Sequence, residues 1–194
     1  MSEPSRPEGA AREGVISLRV QRLQQLFNSL DPSPFRERDL NADAETFIVD
    51  WARELPRAAP LAVVVRLPAE EAERARAMNL PEAFANYFDY RATGARREKR
   101  ELFRMGWRYL GVGAAVLFAC LGALQAVRAG ALGHGALAGL LEESLLIAGW
   151  VANWKPIQLF LYDWWPIQRR IRLYLRLAAA CVFIEADPPA GGPA

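Results

Sequence analysis

The sequence predicts an α+β fold: a small cytoplasmic domain with a short three-stranded sheet and helices, joined to a two-helix transmembrane hairpin. Two long apolar stretches, at 109–127 and 136–154, predict the hairpin. Strand-like segments lie on both sides of these stretches, which predicts one sheet built from both parts of the chain. Of the 194 residues, enough remain outside the hairpin for one soluble domain of about 100 to 130 residues.

The chain before the hairpin has the pattern of a compact domain at 16–95, preceded by a disordered tail at 1–15. The tail is rich in Pro, Glu, Arg and Gly and lacks the apolar core of a signal peptide. Alternating or β-branched residues predict three strands, at 16–20, 61–67 and, after the hairpin, 181–186. Apolar residues at helical spacing predict helices at 22–30, 43–55 and 69–78, and a further helix that Asn79 caps.

Acidic residues surround a proline-containing loop between the first two predicted helices. A divalent cation could be held by these residues, which are Asp31, Glu37, Asp39, Asp43 and Glu45. The interpretation that we favour is that they form local ion pairs and helix caps, with Asn41 or Asp43 beginning the second helix.

The first predicted transmembrane helix, 109–127, has 19 residues without a formal charge. As a helix they span about 29 Å, which is close to the hydrocarbon thickness of a bilayer. A basic helical linker at 96–108 leads into this helix without a proline. A periplasmic turn at 128–135 connects it to the second transmembrane helix, 136–154, which contains only two charged residues, both acidic.

Positive charge is concentrated on one side of the hairpin. Arg128 is the only Lys or Arg between the two outer flanks, whose basic residues are Arg96, Arg97, Lys99, Arg100, Arg104 and Arg108 before the spans and Lys155, Arg169, Arg170, Arg172 and Arg176 after them. By the positive-inside rule, both termini then lie in the cytoplasm. The predicted partner is a lipid bilayer with anionic lipid at its cytoplasmic face, and no nucleic acid.

Aromatic side chains recur where the hairpin meets the cytoplasmic interface, a depth that amphipathic rings prefer. The predicted interfacial anchors are Trp107, Trp150, Trp154, Trp164 and Trp165. The last two belong to an aromatic and basic segment at 155–180. In one interpretation, this segment presents a binding surface to lipid or to a partner. In the interpretation that we favour, it fixes the depth of the hairpin and packs on the soluble domain. A second disordered tail is predicted at 187–194.

Both predicted spans carry a row of small or polar residues at the alternating four- and three-residue spacing of a helix-packing seam. The rows are Gly111, Ala115, Phe118, Gly122 and Gln125 on the first span, and Gly139, Glu142, Leu146, Gly149 and Asn153 on the second. Antiparallel pairing would place Gly111 level with Asn153, and Gln125 level with Gly139. Small residues let helix backbones approach closely in lipid, and polar side chains bond across the interface.

Glu142, Glu143 and Gln125 are the predicted intramembrane polar residues. An ionised carboxylate at the centre of a span costs about 2.5 to 3.5 kcal/mol on insertion scales, so each carboxylate needs a partner or a proton. One hypothesis is a path for protons or cations. The other, which we favour because no second cluster of buried charges outlines a path, is structural. In that hypothesis Glu142 bonds Gln125 or reaches Arg128, and Glu143 faces another subunit or a thinned membrane edge.

The sequence offers little for enzymatic chemistry. It has one histidine, His134, in the predicted turn, and two cysteines, Cys120 and Cys181, which the predicted topology keeps apart. No nucleophile arrangement, phosphate-binding glycine loop, dinucleotide motif or zinc spacing occurs. The sequence therefore predicts no catalytic, metal-binding or cofactor-binding residues, and no cofactor.

The chain contains the segments LFNSLDPSPF at 26–35 and LYDWWP at 161–166. Together with the hairpin, these segments resemble those of a group of uncharacterised bacterial two-span inner-membrane proteins. The resemblance covers most of the chain. It implies a bacterial inner-membrane location and this order of domains, and it brings no known activity.

The function that the sequence predicts is that of a non-enzymatic inner-membrane anchor, scaffold or accessory subunit acting through its cytoplasmic domain. Its partners would be further copies of itself, as a homo-oligomer, or an unknown membrane protein. The alternative is an oligomeric, proton- or cation-responsive transport component that uses Glu142 and Glu143. A less favoured alternative is a membrane-tethered enzyme that uses the acidic loop.

Overall fold

The computed structural model describes residues 14–27, 39–56, 59–130 and 135–187. Nearly all of the two predicted tails, most of the proline loop, and His134 lie outside the described residues. By its contacts the chain divides into two compact units, Met1–Thr93 with Ile171–Ala194, and Gly94–Arg170. The first unit is therefore built from chain segments that precede and follow the second.

Three parallel strands form the sheet of the first unit. They are β1 (Val15–Arg19), β2 (Ala62–Leu67) and β3 (Cys181–Ala186), in the order β1-β2-β3. The prediction of one small sheet shared by the two parts of the chain is confirmed. Parallel neighbours need a crossover connection, and the connection from β2 to β3 contains the whole second unit.

Two helices of the first unit lie within one or two residues of their predicted limits. They are α1 (Ala42–Glu54) and α2 (Ala69–Ala77). The side-chain oxygen of Asn41 accepts a hydrogen bond from the Asp43 N–H at 3.1 Å, so the predicted cap of α1 is confirmed.

The predicted helix at 22–30 is wrong where the structure describes it. Only a 3₁₀ turn forms, at Leu23–Leu26, and Phe27 then adopts an extended conformation and pairs with Leu40 in an antiparallel bridge. A carboxylate oxygen of Glu71 accepts a hydrogen bond from the Leu23 N–H at 2.8 Å. This bond lowers the pKa of the Glu71 carboxyl, with Arg74 contributing in the same direction.

α3 (Leu80–Arg128) is a single helix of 49 residues. It follows Asn79, whose φ of 54° lies in the left-handed region that Asn tolerates better than most residues. Asn79 precedes the helix, as predicted, but its side-chain amide donates to the Glu82 carboxylate at 2.6 Å. Gly94 and the basic residues after it lie inside the same helix, as the uninterrupted linker predicts.

The second unit contains two apolar helical stretches. The first lies within α3, and the second is α4 (Ala136–Ala152), which is followed by α5 (Trp154–Gln158), a π-helical turn (Leu159–Asp163) and α6 (Trp164–Ala178). The helical runs Leu80–Arg128 and Ala136–Ala178 are long and apolar enough to cross a membrane. Only 17% and 6% of their most apolar windows are buried. A core helix of a soluble protein would bury such a surface, so this exposure favours a membrane environment.

The core of the first unit joins residues from both parts of the chain. Ile16 and Val63 of the sheet, Phe88 of α3 and Leu177 of α6 are all fully buried. The Phe88 ring lies 6.1 Å from that of Tyr174, measured between centroids. Because Tyr174 and Leu177 follow the apolar helices in sequence, the first unit is complete only when the chain has returned from them.

Candidate functional site

The apolar stretches of α3 and α4, residues 106–128 and 136–153, pack against each other and are called the helix pair below. Apart from Ala114, the buried and half-buried residues of this part of α3 recur at a spacing of four and three: Gly106, Leu110, Gly113, Leu117, Cys120, Leu124 and Val127. The corresponding residues of α4 are Ala138, Glu142, Leu145, Gly149 and Ala152. Contacts between Gly113 and Asn153 and between Arg128 and Glu142 show that the two helices run antiparallel.

The two helices approach each other closely at Gly113. The side-chain amide of Asn153 donates to the Gly113 carbonyl at 3.1 Å and to the Gly149 carbonyl at 3.0 Å. A Cβ on Gly113 would lie 2.8 Å from the Asn153 side-chain oxygen and 2.9 Å from the Ala152 carbonyl oxygen. No residue with a side chain fits there without displacing α4.

The local sequence of α4 explains why Asn153 bonds in this way. The helix ends at Ala152. The N–H of the next residue, Asn153, donates to the Trp150 and Val151 carbonyls, so it does not serve the Gly149 carbonyl. Pro156 has no N–H for the Ala152 carbonyl. In a bilayer such freed carbonyls must find partners within the protein, and the Asn153 amide supplies one for Gly149 while it also binds α3. We call Gly113, Gly149 and Asn153 the helix clasp.

On α4, two residues of the predicted seam lie in the helix pair: Gly149 lies beside Leu117 and Cys120, and Asn153 bonds across the pair. Leu146 of the same row is 49% exposed. At Gly111, Gly122 and Gly139, however, a Cβ would meet nothing within 4 Å, and Ala115 is exposed. Asn153 meets Gly113 instead of Gly111, and a shift of two residues turns a helix by about 200°. The predicted row of α3 therefore lies on the face turned away from α4.

An ion pair joins the other end of the helix pair. Arg128 Nε lies 3.0 Å from a Glu142 carboxylate oxygen, and Arg128 is one of the two partners that the structural hypothesis assigns to Glu142. Glu143 and Gln125 are exposed. Within 14–27, 39–56, 59–130 and 135–187, neither side chain has a hydrogen-bond or ion-pair partner.

The five predicted anchor tryptophans occupy two kinds of position. Trp164 belongs to an aromatic cluster in which Phe103 lies 5.8 Å from Phe160 and 6.5 Å from Trp164, between ring centroids. The ammonium group of Lys99 lies 5.3 Å from the Trp164 ring centroid, a cation–π contact. The other four indoles, of Trp107, Trp150, Trp154 and Trp165, are between 51% and 67% exposed.

The first unit contains a polar network that the sequence pattern does not predict. Tyr87 of α3 donates to Glu45 of α1 at 2.8 Å, and Arg91 donates to the other carboxylate oxygen of Glu45 at 2.7 Å. Burial, and then the hydrogen bond to Glu45, raise the pKa of Tyr87 above its ordinary value. The network ties α1 to α3, and it uses one member of the predicted acidic set as an ion-pair partner.

The contacts described above are close helix packing, hydrogen bonds, ion pairs and a cation–π contact. Among the residues that the structure describes, no group of three or more His, Cys, Asp or Glu side chains could hold a metal ion. Comparisons of the chain with models of protein families, with curated proteins and with solved structures found no match.

Proposed function

We propose that this protein is a non-enzymatic anchor, scaffold or accessory subunit of the bacterial inner membrane. In this proposal the helix pair is a transmembrane hairpin, and the sheet unit is a cytoplasmic domain that carries both termini. The bacterial origin rests on the resemblance of the LFNSLDPSPF and LYDWWP segments. The anchor or scaffold function is supported by two features: the helix pair exposes an apolar surface that suits a membrane, and the sheet unit is compact and folded.

The observation that carries the proposal is the pairing of β2 with β3. These strands are hydrogen-bonded neighbours, and both apolar helices lie between them in sequence. Because hydrogen-bonded strands cannot lie on opposite sides of a bilayer, the chain between them crosses the membrane an even number of times. Two apolar helices that run antiparallel meet that condition.

The distribution of charge supports the orientation and the lipid partner. Arg97, Arg100, Arg104 and Arg108 lie on one exposed stripe of α3 that ends where the apolar stretch begins. Basic residues next to a span favour the cytoplasmic side and contribute about 1 kcal/mol each near anionic lipid. The exposed indoles of Trp107 and Trp150 suit the same interface.

We expect single cysteines to report this topology. In a Cys120→Ala, Cys181→Ser background, Ala129→Cys should react in intact cells with a maleimide that does not cross membranes, and Gly94→Cys should react only after the inner membrane is opened. Gly94 lies on α3 with open space beside it, and Ala129, the first residue after α3, is exposed, so accessibility depends on their side of the membrane. Reaction of Gly94→Cys in intact cells, or release of the protein from vesicles at alkaline pH, would contradict the proposal.

The exposed Glu143 carboxylate is the observation that favours the alternative, a proton- or cation-responsive component. For the anchor we expect purified protein in liposomes to give no proton flux above that of empty vesicles, measured with an entrapped pH-sensitive dye. The Glu142→Gln, Glu143→Gln double variant should give the same trace. A flux that the wild type shows and the double variant loses would favour the alternative.

A further inference from the structure

Gln125 and Glu143 lie at almost the same depth in the helix pair. Asn153 is level with Gly113 and Gly149 with Leu117, so each step along α3 matches one step back along α4. Continuing this register places Gln125 two residues from the level of Glu143, which is about 3 Å along the helix axis.

The two side chains also lie on the same side of the helix pair. At about 100° per residue, Gln125 is turned about 100° from the α3 face that contacts α4, and Glu143 is turned about 120° from the Gly149 face. Because the helices run antiparallel, rotations in the same sense on both helices lead to one side of the pair. Both side chains are exposed there.

Apart from these two side chains and Arg128, which pairs with Glu142, this side of the pair is apolar. Phe118 of α3 is 71% exposed, and Leu146 and Trp150 of α4 are 49% and 61% exposed, while Gly139 leaves open space beside them. In a transmembrane hairpin, a polar amide and a carboxylate facing hydrocarbon are costly. Both could be paired if another surface with a donor and an acceptor at this depth covered them.

We propose that a second copy of this chain covers this side, and that Gln125 of each copy pairs with Glu143 of the other. The inference rests on the proposed membrane function and names its partner. A two-fold axis along the membrane normal keeps every residue at its depth and brings α3 of one copy opposite α4 of the other. Each Gln125 amide then donates to the Glu143 carboxylate of the second copy, and the two pairs are equivalent. If Glu143 is protonated, its O–H donates to the Gln125 carbonyl oxygen, so the pairing holds in either state.

Cysteine cross-linking between two differently tagged chains tests this arrangement. Phe118→Cys in one chain and Leu146→Cys in the other lie on the proposed interface and leave both polar residues in place. Co-expressed in the background without native cysteines, they should form a mixed disulfide in membranes. The matched control is Ala123→Cys with Leu141→Cys, a pair at the same relative depth on the opposite side, which should give little product.

Substitutions then separate the polar pairing from simple proximity. Glu143→Leu or Gln125→Leu removes both reciprocal bonds of the dimer, and association should weaken about tenfold at bond strengths of about 0.6 kcal/mol each. Glu143→Gln keeps a bonding partner for Gln125, so its association should stay within about twofold of that of the wild type.

Equal cross-linking on both sides, no mixed disulfide, or cross-linking that Glu143→Leu leaves unchanged would overturn the inference. The same membranes are extracted with carbonate: failure to insert overturns the proposed function, whereas insertion without the mixed disulfide overturns only the dimer.

Discussion

Replacing Gly113 by leucine should destabilise the helix pair by about 1 to 3 kcal/mol, the usual range for an overpacked contact. The new Cβ would lie 2.8 Å from the Asn153 side-chain oxygen and 2.9 Å from the Ala152 carbonyl oxygen. To admit it, α4 must move away, and the Asn153 bonds to Gly113 and Gly149 are then lost. The free energy of unfolding, measured by titrating dodecyl sulfate into mixed micelles, checks this expectation.

Gly111→Leu is the matched control. It makes the same chemical change two residues away on α3, where a Cβ would meet nothing within 4 Å. Both variants gain the same helix propensity of about 1 kcal/mol over glycine, so their difference isolates the contact. We expect Gly111→Leu to be neutral or slightly stabilising. If the two variants unfold alike, or if Gly111→Leu is the more damaging, the face assigned to the helix clasp is wrong.

The sequence predicts that two helices pair, but it does not determine which face of α3 is used. Rows with four- and three-residue spacing pass through Gly111 and through Gly113, and both contain small residues. The feature that selects the Gly113 row lies on α4. Asn153 and Pro156 interrupt the hydrogen bonding of α4. The Asn153 amide that serves the freed Gly149 carbonyl also donates to the Gly113 carbonyl, which requires a close α3 backbone at that depth. That signal is present in the sequence, but its depth relative to α3 depends on the connection at 128–135.

The small sheet was predictable for a different reason. Each strand has its own local signal: 16–20 alternates apolar and polar residues, 61–67 is a β-branched run between Pro60 and Pro68, and 181–186 is a short apolar run near the end of the chain. The sequence predicts no direction for the strands. The structure pairs them in parallel, and both connections contain helices, as the crossover between parallel neighbours requires. The prediction of a helix at 22–30 is wrong because it rests on the helical spacing of Leu23 and Leu26. In the structure Glu71, which is far away in the sequence, binds the Leu23 N–H, and the segment forms a 3₁₀ turn.

Truncation of Phe88 should have the largest effect of any single substitution in the first unit. Phe88 is fully buried, and Phe88→Ala at such a site costs about 3 to 5 kcal/mol. Its ring meets Tyr174 at 6.1 Å, so the loss affects the segment that returns after the helix pair. Hydrogen exchange of the β2 amides in the full-length protein should accelerate by about 100-fold or more, because 1.4 kcal/mol corresponds to a factor of ten.

Tyr90→Ala, two residues further along α3, removes a comparable ring that is 65% exposed and should change exchange by less than about threefold. The comparison also tests how the first unit is assembled. β3 and Tyr174 reach β2 and Phe88 only through the crossover that contains both apolar helices, so the loss of Phe88 should speed exchange in β3 as much as in β2. If β3 keeps its protection while β2 loses it, the two strands are not one cooperative sheet. The argument that sheet pairing requires an even number of membrane crossings would then lose its basis.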